Sequence, residues 1–232
     1  MTDSFMKFPS TPHLAVLGDV TVRDDKVLTP TERDRFLAHD VIVEEKVDGA
    51  NLGIAFDSTG AIRTQNRGTQ LHEPMTGQWK TLPDWLAFHS DRLFDVLTDR
   101  YIVFGEWCYA KHSIPYDRLP DWFVGFDVYD SQANRFFGRH KRDVFLASLE
   151  VPVVPCLASG RFSLDDITSL LGLSHFGDTA AEGIYLRYDD GDWLGQRAKL
   201  VHPDFVQAIR KHWTRMPLQV NRLVAALNRT DQ

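Results

Sequence analysis

Residues 44–51, Glu-Glu-Lys-Val-Asp-Gly-Ala-Asn, constrain this chain more than any other stretch. A β-branched apolar run, Val41-Ile42-Val43, precedes them, and a second apolar run at 52–56 follows. The Asp48-Gly49 pair between the two runs is a turn signal. The pattern therefore predicts a strand that ends at Lys46, a tight turn, and a new strand. That placement sends a long amine off the end of a rigid element into whatever lies beside the sheet. The position suits a solvated surface lysine or a nucleophile, and the remainder of the chain has to decide between them.

Turn signals recur along the sequence. Asp57-Ser58-Thr59-Gly60 predicts a hairpin into a short strand at 61–64, and 130–134 turns a strand at 122–129 back into 135–138. Asp189-Asp190-Gly191-Asp192 joins strands at 183–188 and 193–201. Further strands are predicted at 101–107 and 151–157, the second interrupted by Pro152 and Pro155. Apolar periodicity and capping signals predict helices at 30–39, 84–97, 139–149, 165–171, 203–213 and 217–227. Hairpins outnumber βαβ units, which predicts an α+β fold with largely antiparallel sheets.

Composition narrows the function classes. The chain has 232 residues, is 43% hydrophobic and carries a net charge of −6. A protein that grips a polyanion by bulk charge would be basic, so any such site here is a local patch. Cys108 and Cys156 have neither metal-ligand spacing nor the density of a disulfide framework, which points to a reducing compartment. No run approaches the roughly 20 apolar residues of a membrane span. The expected location is cytoplasmic.

Lys-x-Asp-Gly alone would arise by chance in about one chain in twenty of this length. Its company raises the signal. Arg67 lies in a polar loop after the next hairpin, Glu106 ends an apolar strand directly after Gly105, and Phe126-Asp127 lies within another. Glu182-Gly183 opens a strand, and Arg197 and Lys199, two apart, share one face of the strand that follows. Polar residues at strand ends and on strand faces are what a groove between two sheets would collect.

In this order the motifs resemble those of the covalent nucleotidyltransferases, the ATP-dependent polynucleotide ligases and mRNA capping enzymes, and most of all RNA ligases of the RNA ligase 2 type. The matching segments are Glu-Lys-Val-Asp-Gly-Ala-Asn at 45–51, Asn66-Arg67-Gly68, Phe104-Gly105-Glu106-Trp107, the run at 123–128, the run at 182–187, and Arg197-Ala198-Lys199. The resemblance covers about residues 8–199. It implies an ATP-grasp-like nucleotidyltransferase domain of two largely antiparallel sheets flanked by helices, with the nucleotide in the groove between them. The whole of 1–232 would be one adenylyltransferase domain, with helices over 203–232 packed on it and no separate oligonucleotide-binding barrel.

The same resemblance implies roles. Lys46 would attack the α-phosphate of ATP and carry AMP, with Arg197 and Lys199 on the phosphates and lowering the lysine pKa. Glu45 would read the adenine, and Asn51 would orient a phosphate or a metal-bound water. Arg67 and Glu106 would flank the ribose, and Phe126 would stack on the purine. Glu182, with Glu106, would serve Mg2+ or Mn2+. Asp127 reads as a salt-bridge partner rather than a site residue. Lys111, His112 and Arg118 read as solvated loop charge with a possible reach to a 5′-phosphate, and no chemistry is assigned to His13. The implied activity is ATP-dependent joining of RNA 5′-phosphate and 3′-hydroxyl ends through a lysyl-AMP intermediate, in RNA repair. An end-healing kinase or phosphatase is a possible partner. A DNA ligase, a capping nucleotidyltransferase and a non-catalytic RNA-end-binding module stay open as alternatives.

Overall fold

The structure, a computed structural model, describes residues 6–18, 22, 26–208 and 217–224. In chain order the elements begin with α1 (Pro30–Leu37), β1 (Val41–Lys46), β2 (Ala50–Phe56), β3 (Ile62–Gln65), α2 (Leu82–Leu97), β4 (Tyr101–Trp107), β5 (Phe123–Asp130) and β6 (Arg135–Phe136). They continue with α3 (Arg139–Ser148), β7 (Cys156–Gly160), α4 (Leu164–Ser169), β8 (Gly183–Asp190), β9 (Trp193–Val201) and α5 (Pro203–Ala208). The strands form one sheet in the order β7-β1-β8-β9 and a second in the order β3-β2-β4-β5-β6. Every pairing within them is antiparallel. The α+β architecture expected from the sequence is the one observed.

The turn after Lys46 does more than the sequence suggests. β1 is paired on both edges, to β7 and to β8, so β2 has no free edge to join. Instead, residues 47–49 carry the chain from one sheet to the other. Gly49 is required there by close approach rather than by an unusual backbone angle. A Cβ at that position would lie 3.0 Å from the Trp107 carbonyl oxygen and 3.1 Å from Cys108 Sγ. Asp48 fastens the turn by accepting from the backbone N–H groups of Ser113 (2.7 Å) and Ile114 (3.0 Å).

Each sheet has an outer apolar face covered by helix. Leu82, Trp85, Leu86, Leu93 and Leu97 of α2 pack on Leu52, Ile54, Val103 and Trp107 of the five-stranded sheet. Phe36 of α1 and Ile167 of α4 pack on Val41, Val43, Ile184, Leu186, Ala198 and Leu200 of the four-stranded sheet. Burial of this kind is worth about 1.5–3 kcal/mol per large side chain. The inner faces carry charge, and these charges pair across the groove. Arg142 of α3 donates to both carboxylate oxygens of Glu44 on β1 (2.5 and 3.1 Å) and to the Phe126 carbonyl on β5 (2.8 Å). Asp127 on β5 takes Arg187 from β8 (3.2 Å) and Arg197 from β9 (2.7 Å). Glu44, Asp127, Arg142 and Arg187 are at most 1% exposed, so these pairs span the two sheets out of contact with water.

Three local expectations change. The strand predicted at 151–157 is β7, shifted onto 156–160. Pro152 and Pro155 lack the N–H a ladder needs, and residues 152–154 lie along Gly125 through bonds of 2.8 and 3.1 Å instead. The helix predicted at 203–213 is seen as Pro203–Ala208, and its remainder lies outside the described residues. The helix predicted at 217–227 is not formed over 217–223, and 225–227 lie outside the described residues. This segment is extended and gives its backbone groups to the loop after β4. Lys111 N–H donates to Gln219 (2.8 Å), Asn221 N–H to Tyr109 (3.0 Å) and Leu119 N–H to Arg222 (3.1 Å). The buried Asn221 side chain completes the clasp, donating to the Cys108 carbonyl (2.8 Å) and accepting from Tyr116 N–H (2.9 Å). At the other end of the chain, Leu14 N–H bonds the Lys199 carbonyl (2.7 Å) and Lys199 N–H bonds Pro12 (2.9 Å). The N-terminal segment thus runs as an extra strand beside β9.

The Glu44–Arg142 pair offers a direct stability test. Arg142→Met leaves a buried carboxylate without a partner and is expected to cost about 3–5 kcal/mol. The double change Glu44→Met, Arg142→Met removes both charges and is expected to recover much of that loss. Midpoints of urea unfolding for the three proteins check both statements.

Candidate active site

The groove between the sheets contains a cavity of about 270 Å3 with Lys46 on its wall. The strand period explains the four-stranded sheet's contribution. Glu44 and Lys46 share a face of β1, and Tyr185 and Lys199 are direct cross-strand partners on β8 and β9. Glu182 sits immediately before β8, and Lys46 pairs with Gly183 in the ladder, which brings amine and carboxylate together. The five-stranded sheet contributes Asn51 on β2, the opposing Glu106 on β4 and Phe126 on β5. Arg67 reaches in from the loop after β3, and Phe8 and Thr11 close the groove from the N-terminal segment.

Lys46 Nζ donates to Glu182 Oε2 at 2.5 Å, with 23% of the lysine side chain exposed. Burial alone would lower the lysine pKa, but the carboxylates of Glu182, Glu106 and Asp48 outweigh it and leave the pKa raised. The free protein therefore holds this amine protonated. Lys199 goes the other way, down to about 8, through burial and the nearby Lys46 charge. Glu106 is pushed up to about 8 by burial, with the Glu182 and Asp48 charges adding to the rise and Lys46 opposing it. Glu182 is likewise raised, mainly by burial.

Among the described residues, two groove oxygens have no hydrogen-bond partner. Asn51 Oδ1 and Glu106 Oε2 are buried and unbonded, although they project from neighbouring strands into the cavity wall. Leaving such groups unpaired costs about 1–3 kcal/mol each, so they mark places where a ligand is expected to bind. Among the described residues no cluster of three or more His, Cys, Asp or Glu could hold a metal alone. A Mg2+-like ion needs few carboxylates when phosphate oxygens and water complete its shell. Glu182 and Glu106 fit that requirement.

Lys46, Asn51, Arg67, Glu106, Phe126, Glu182 and Lys199 are thus gathered around one cavity. Arg67 is mostly exposed, with Nη2 donating to the Pro9 carbonyl (3.2 Å). Phe126 meets Phe8 edge to face, ring centroids 5.3 Å apart. Arg197, expected on the phosphates, does not line the cavity. Its guanidinium bonds Asp127 and lies over the rings of Phe136 (4.1 Å) and Phe8 (5.0 Å), beneath the groove floor. Asp127, as expected, is a salt-bridge partner. Glu45 borders the cavity, but its carboxylate is taken. It accepts from Ser174 Oγ (2.5 Å) and His175 N–H (2.9 Å), with His175 Nδ1 also at 2.9 Å, so it anchors the 174–175 turn at the edge of the cavity.

Phe8, Thr11, Glu44 and Tyr185 line the cavity outside the expected site set, and Val47, Gly49 and Val154 complete its wall. Glu44 and Tyr185 were legible in principle, because strand alternation puts Glu44 on the Lys46 face and hairpin register puts Tyr185 beside Lys199. Phe8 and Thr11 carried no local signal, since they arrive through the N-terminal strand. Of the loop cations, Arg118 pairs with Asp178 (2.7 Å) and His112 Nε2 bonds Gln78 Oε1 (2.7 Å).

The fold is shared with solved proteins. A Naegleria gruberi RNA ligase variant with ATP and Mn superposes with a TM-score of 0.65 at 15% identity, covering 88% of this chain and 58% of that one. A second variant with ATP and Mn gives 0.64 at 16% identity, over 88% and 64%. The same ligase with PPi gives 0.59 at 18% identity, over 88% and 64%. This chain therefore spans about three fifths of the length of those structures, and at these identities the likeness is one of fold. No curated protein matches this sequence. The RNA ligase family model matches residues 39–201, from the start of β1 to the end of β9, and the chain belongs to the RNA ligase family.

Proposed function

We propose that this chain is an ATP-dependent RNA ligase that joins 5′-phosphate and 3′-hydroxyl ends through a lysyl-AMP intermediate. One observation carries the reading: a largely buried lysine amine lies in the inter-sheet cavity, 2.5 Å from a carboxylate that holds it charged. A surface lysine has no such setting. The solved relatives support the choice of ligands, since that Naegleria gruberi RNA ligase has been captured with ATP and Mn and, as a variant, with AMP and Mn.

In this mechanism Lys46 Nζ attacks the α-phosphorus. The N–P bond forms, the bond from α-phosphorus to the bridging oxygen breaks, and pyrophosphate leaves with the electron pair. Phe126, braced by Phe8, stacks on the purine. Arg67 and Glu106 bond the ribose hydroxyls. Lys199 bonds the phosphates, where charge develops. Glu182 and Glu106 would hold Mg2+ or Mn2+, which when bound supplies positive charge against the phosphate oxygens. Glu182 is also the main group that keeps Lys46 protonated, so engaging it elsewhere frees the amine to lose its proton to solvent. AMP then passes to an RNA 5′-phosphate, and a 3′-hydroxyl displaces it. We read residues 1–232 as one adenylyltransferase domain acting in RNA repair in the cytoplasm, with an end-healing kinase or phosphatase as a partner.

α-Labelled ATP with Mn2+ is expected to label the denatured protein. Lys46→Ala and chelation of the metal are each expected to abolish the label, and label that persists in either case overturns the reading. Competition by unlabelled GTP equal to that by ATP would favour the capping alternative, and sealing of all-DNA nicks in preference to RNA ends would favour the DNA ligase alternative. The two β9 cations should also separate. Lys199→Ala is expected to slow label incorporation by about 100-fold or more. Arg197→Lys is expected to act first on stability, lowering the unfolding midpoint through the weakened Asp127 and ring contacts. Initial labelling rates and thermal unfolding of both variants check the distinction.

A further inference from the structure

Glu44, Tyr185 and Lys199 are successive cross-strand partners on β1, β8 and β9, so their side chains form one row on the groove face of the four-stranded sheet. The row does not stop at β9. His13 lies directly opposite Lys199 in the N-terminal strand. The register is held by Leu14 N–H to the Lys199 carbonyl (2.7 Å) and Lys199 N–H to the Pro12 carbonyl (2.9 Å). Thr11, two residues earlier, lines the cavity, and residues two apart in an extended segment share a face. His13 thus stands at the outer end of the row, half-buried, just past the last cavity-lining cation.

Its surroundings are unusual for an imidazole. Lys199 of β9, Lys46 of β1 and Lys26 of the flanking 26–28 segment all act on it, and together with burial they hold its pKa down to about 4. A neutral ring among three cations is a place deficient in negative charge. The second β9 cation, Arg197, is committed to Asp127, so Lys199 alone represents β9 at the cavity. With the purine on Phe126 and the α-phosphate at Lys46, as in the proposed function, Lys199 and His13 beyond it are the next groups along the row.

We propose that His13 is a pyrophosphate-binding residue of this site, which takes up a proton when the β- and γ-phosphates arrive and holds the leaving pyrophosphate beside Lys199. The proton comes from solvent. It is shared as a charge-assisted hydrogen bond with a phosphate oxygen and returns to solvent when pyrophosphate departs. No covalent bond to His13 forms. The inference rests on the proposed function, because it assigns a residue to the triphosphate of that same reaction.

The test compares wild type, His13→Gln and His13→Lys in two assays: pyrophosphate inhibition of lysine labelling across about pH 5 to pH 8, and sealing of a pre-adenylylated RNA 5′ end, which passes no pyrophosphate through the site. His13 binds a proton only in the complex, so wild-type affinity for pyrophosphate should gain on that of His13→Gln as the pH falls. Near pH 6 the difference is expected to be about tenfold. His13→Lys should retain the affinity without that extra pH dependence, and sealing of the pre-adenylylated end should be spared in both variants. Identical pyrophosphate constants and slopes in wild type and His13→Gln would overturn the proposal. So would an equal loss in sealing the pre-adenylylated end, which would mark His13 as structural. A wild-type protein that neither takes label nor seals such an end would instead fail the proposed function itself.

Discussion

Two sheets that present charged inner faces to one another stay together only if those charges neutralise across the gap. Here the Glu44–Arg142 pair and the Arg187–Asp127–Arg197 triad do so. The triad crosses from one sheet to the other directly, and Arg142, from α3, links them by holding Glu44 on β1 and the Phe126 carbonyl on β5. Buried ion pairs of this kind add little net stability over apolar packing, but breaking one side is costly. Their value lies in geometry. They fix the separation of the sheets beneath the cavity while leaving its upper part open to solvent, a task that an apolar interface would accomplish only by closing the groove.

The site follows from that arrangement. Because β1 is hemmed in by β7 and β8, the turn after Lys46 must cross the gap, and the lysine is delivered at the crossing point. Glu182 and Glu106 meet it from opposite sheets. Glu182, in direct contact, holds the amine in its protonated, unreactive form, and among the described residues Asn51 Oδ1 and Glu106 Oε2 have no hydrogen-bond partner. Under the proposed function, a nucleotide and a divalent cation would meet both sets of atoms together. Catalytic sites commonly store such mismatches.

Much of this was legible before any coordinates. Strand ends at Lys46 and Glu106, the hairpins and the shared face of Arg197 and Lys199 all follow from short-range periodicity and turn chemistry. What was not legible depends on which strand lies beside which. Lys46-Val47-Asp48-Gly49 looks like a hairpin turn until β1's edges are seen to be occupied. Arg197 and Lys199 share a face, yet Asp127 on β5 pairs with Arg197, while Lys199 lines the cavity. Glu45 has the sequence position of a base reader, but the distant Ser174-His175 turn claims its carboxylate. The stretch at 217–223 has helical spacing, yet Asn221 and its neighbours find their hydrogen bonds in a loop a hundred residues earlier. Phe8 and Thr11 reach the groove only because the N-terminal segment docks on β9.

The central claim is that the lysine delivered at the sheet crossing is the covalent carrier of AMP. The most direct measurement is peptide mapping by mass spectrometry after incubation with ATP and Mn2+. A single acid-labile AMP adduct, confined to the peptide that contains Lys46, is expected. An adduct on another lysine, or a protein that binds ATP tightly yet gains no mass, would contradict it.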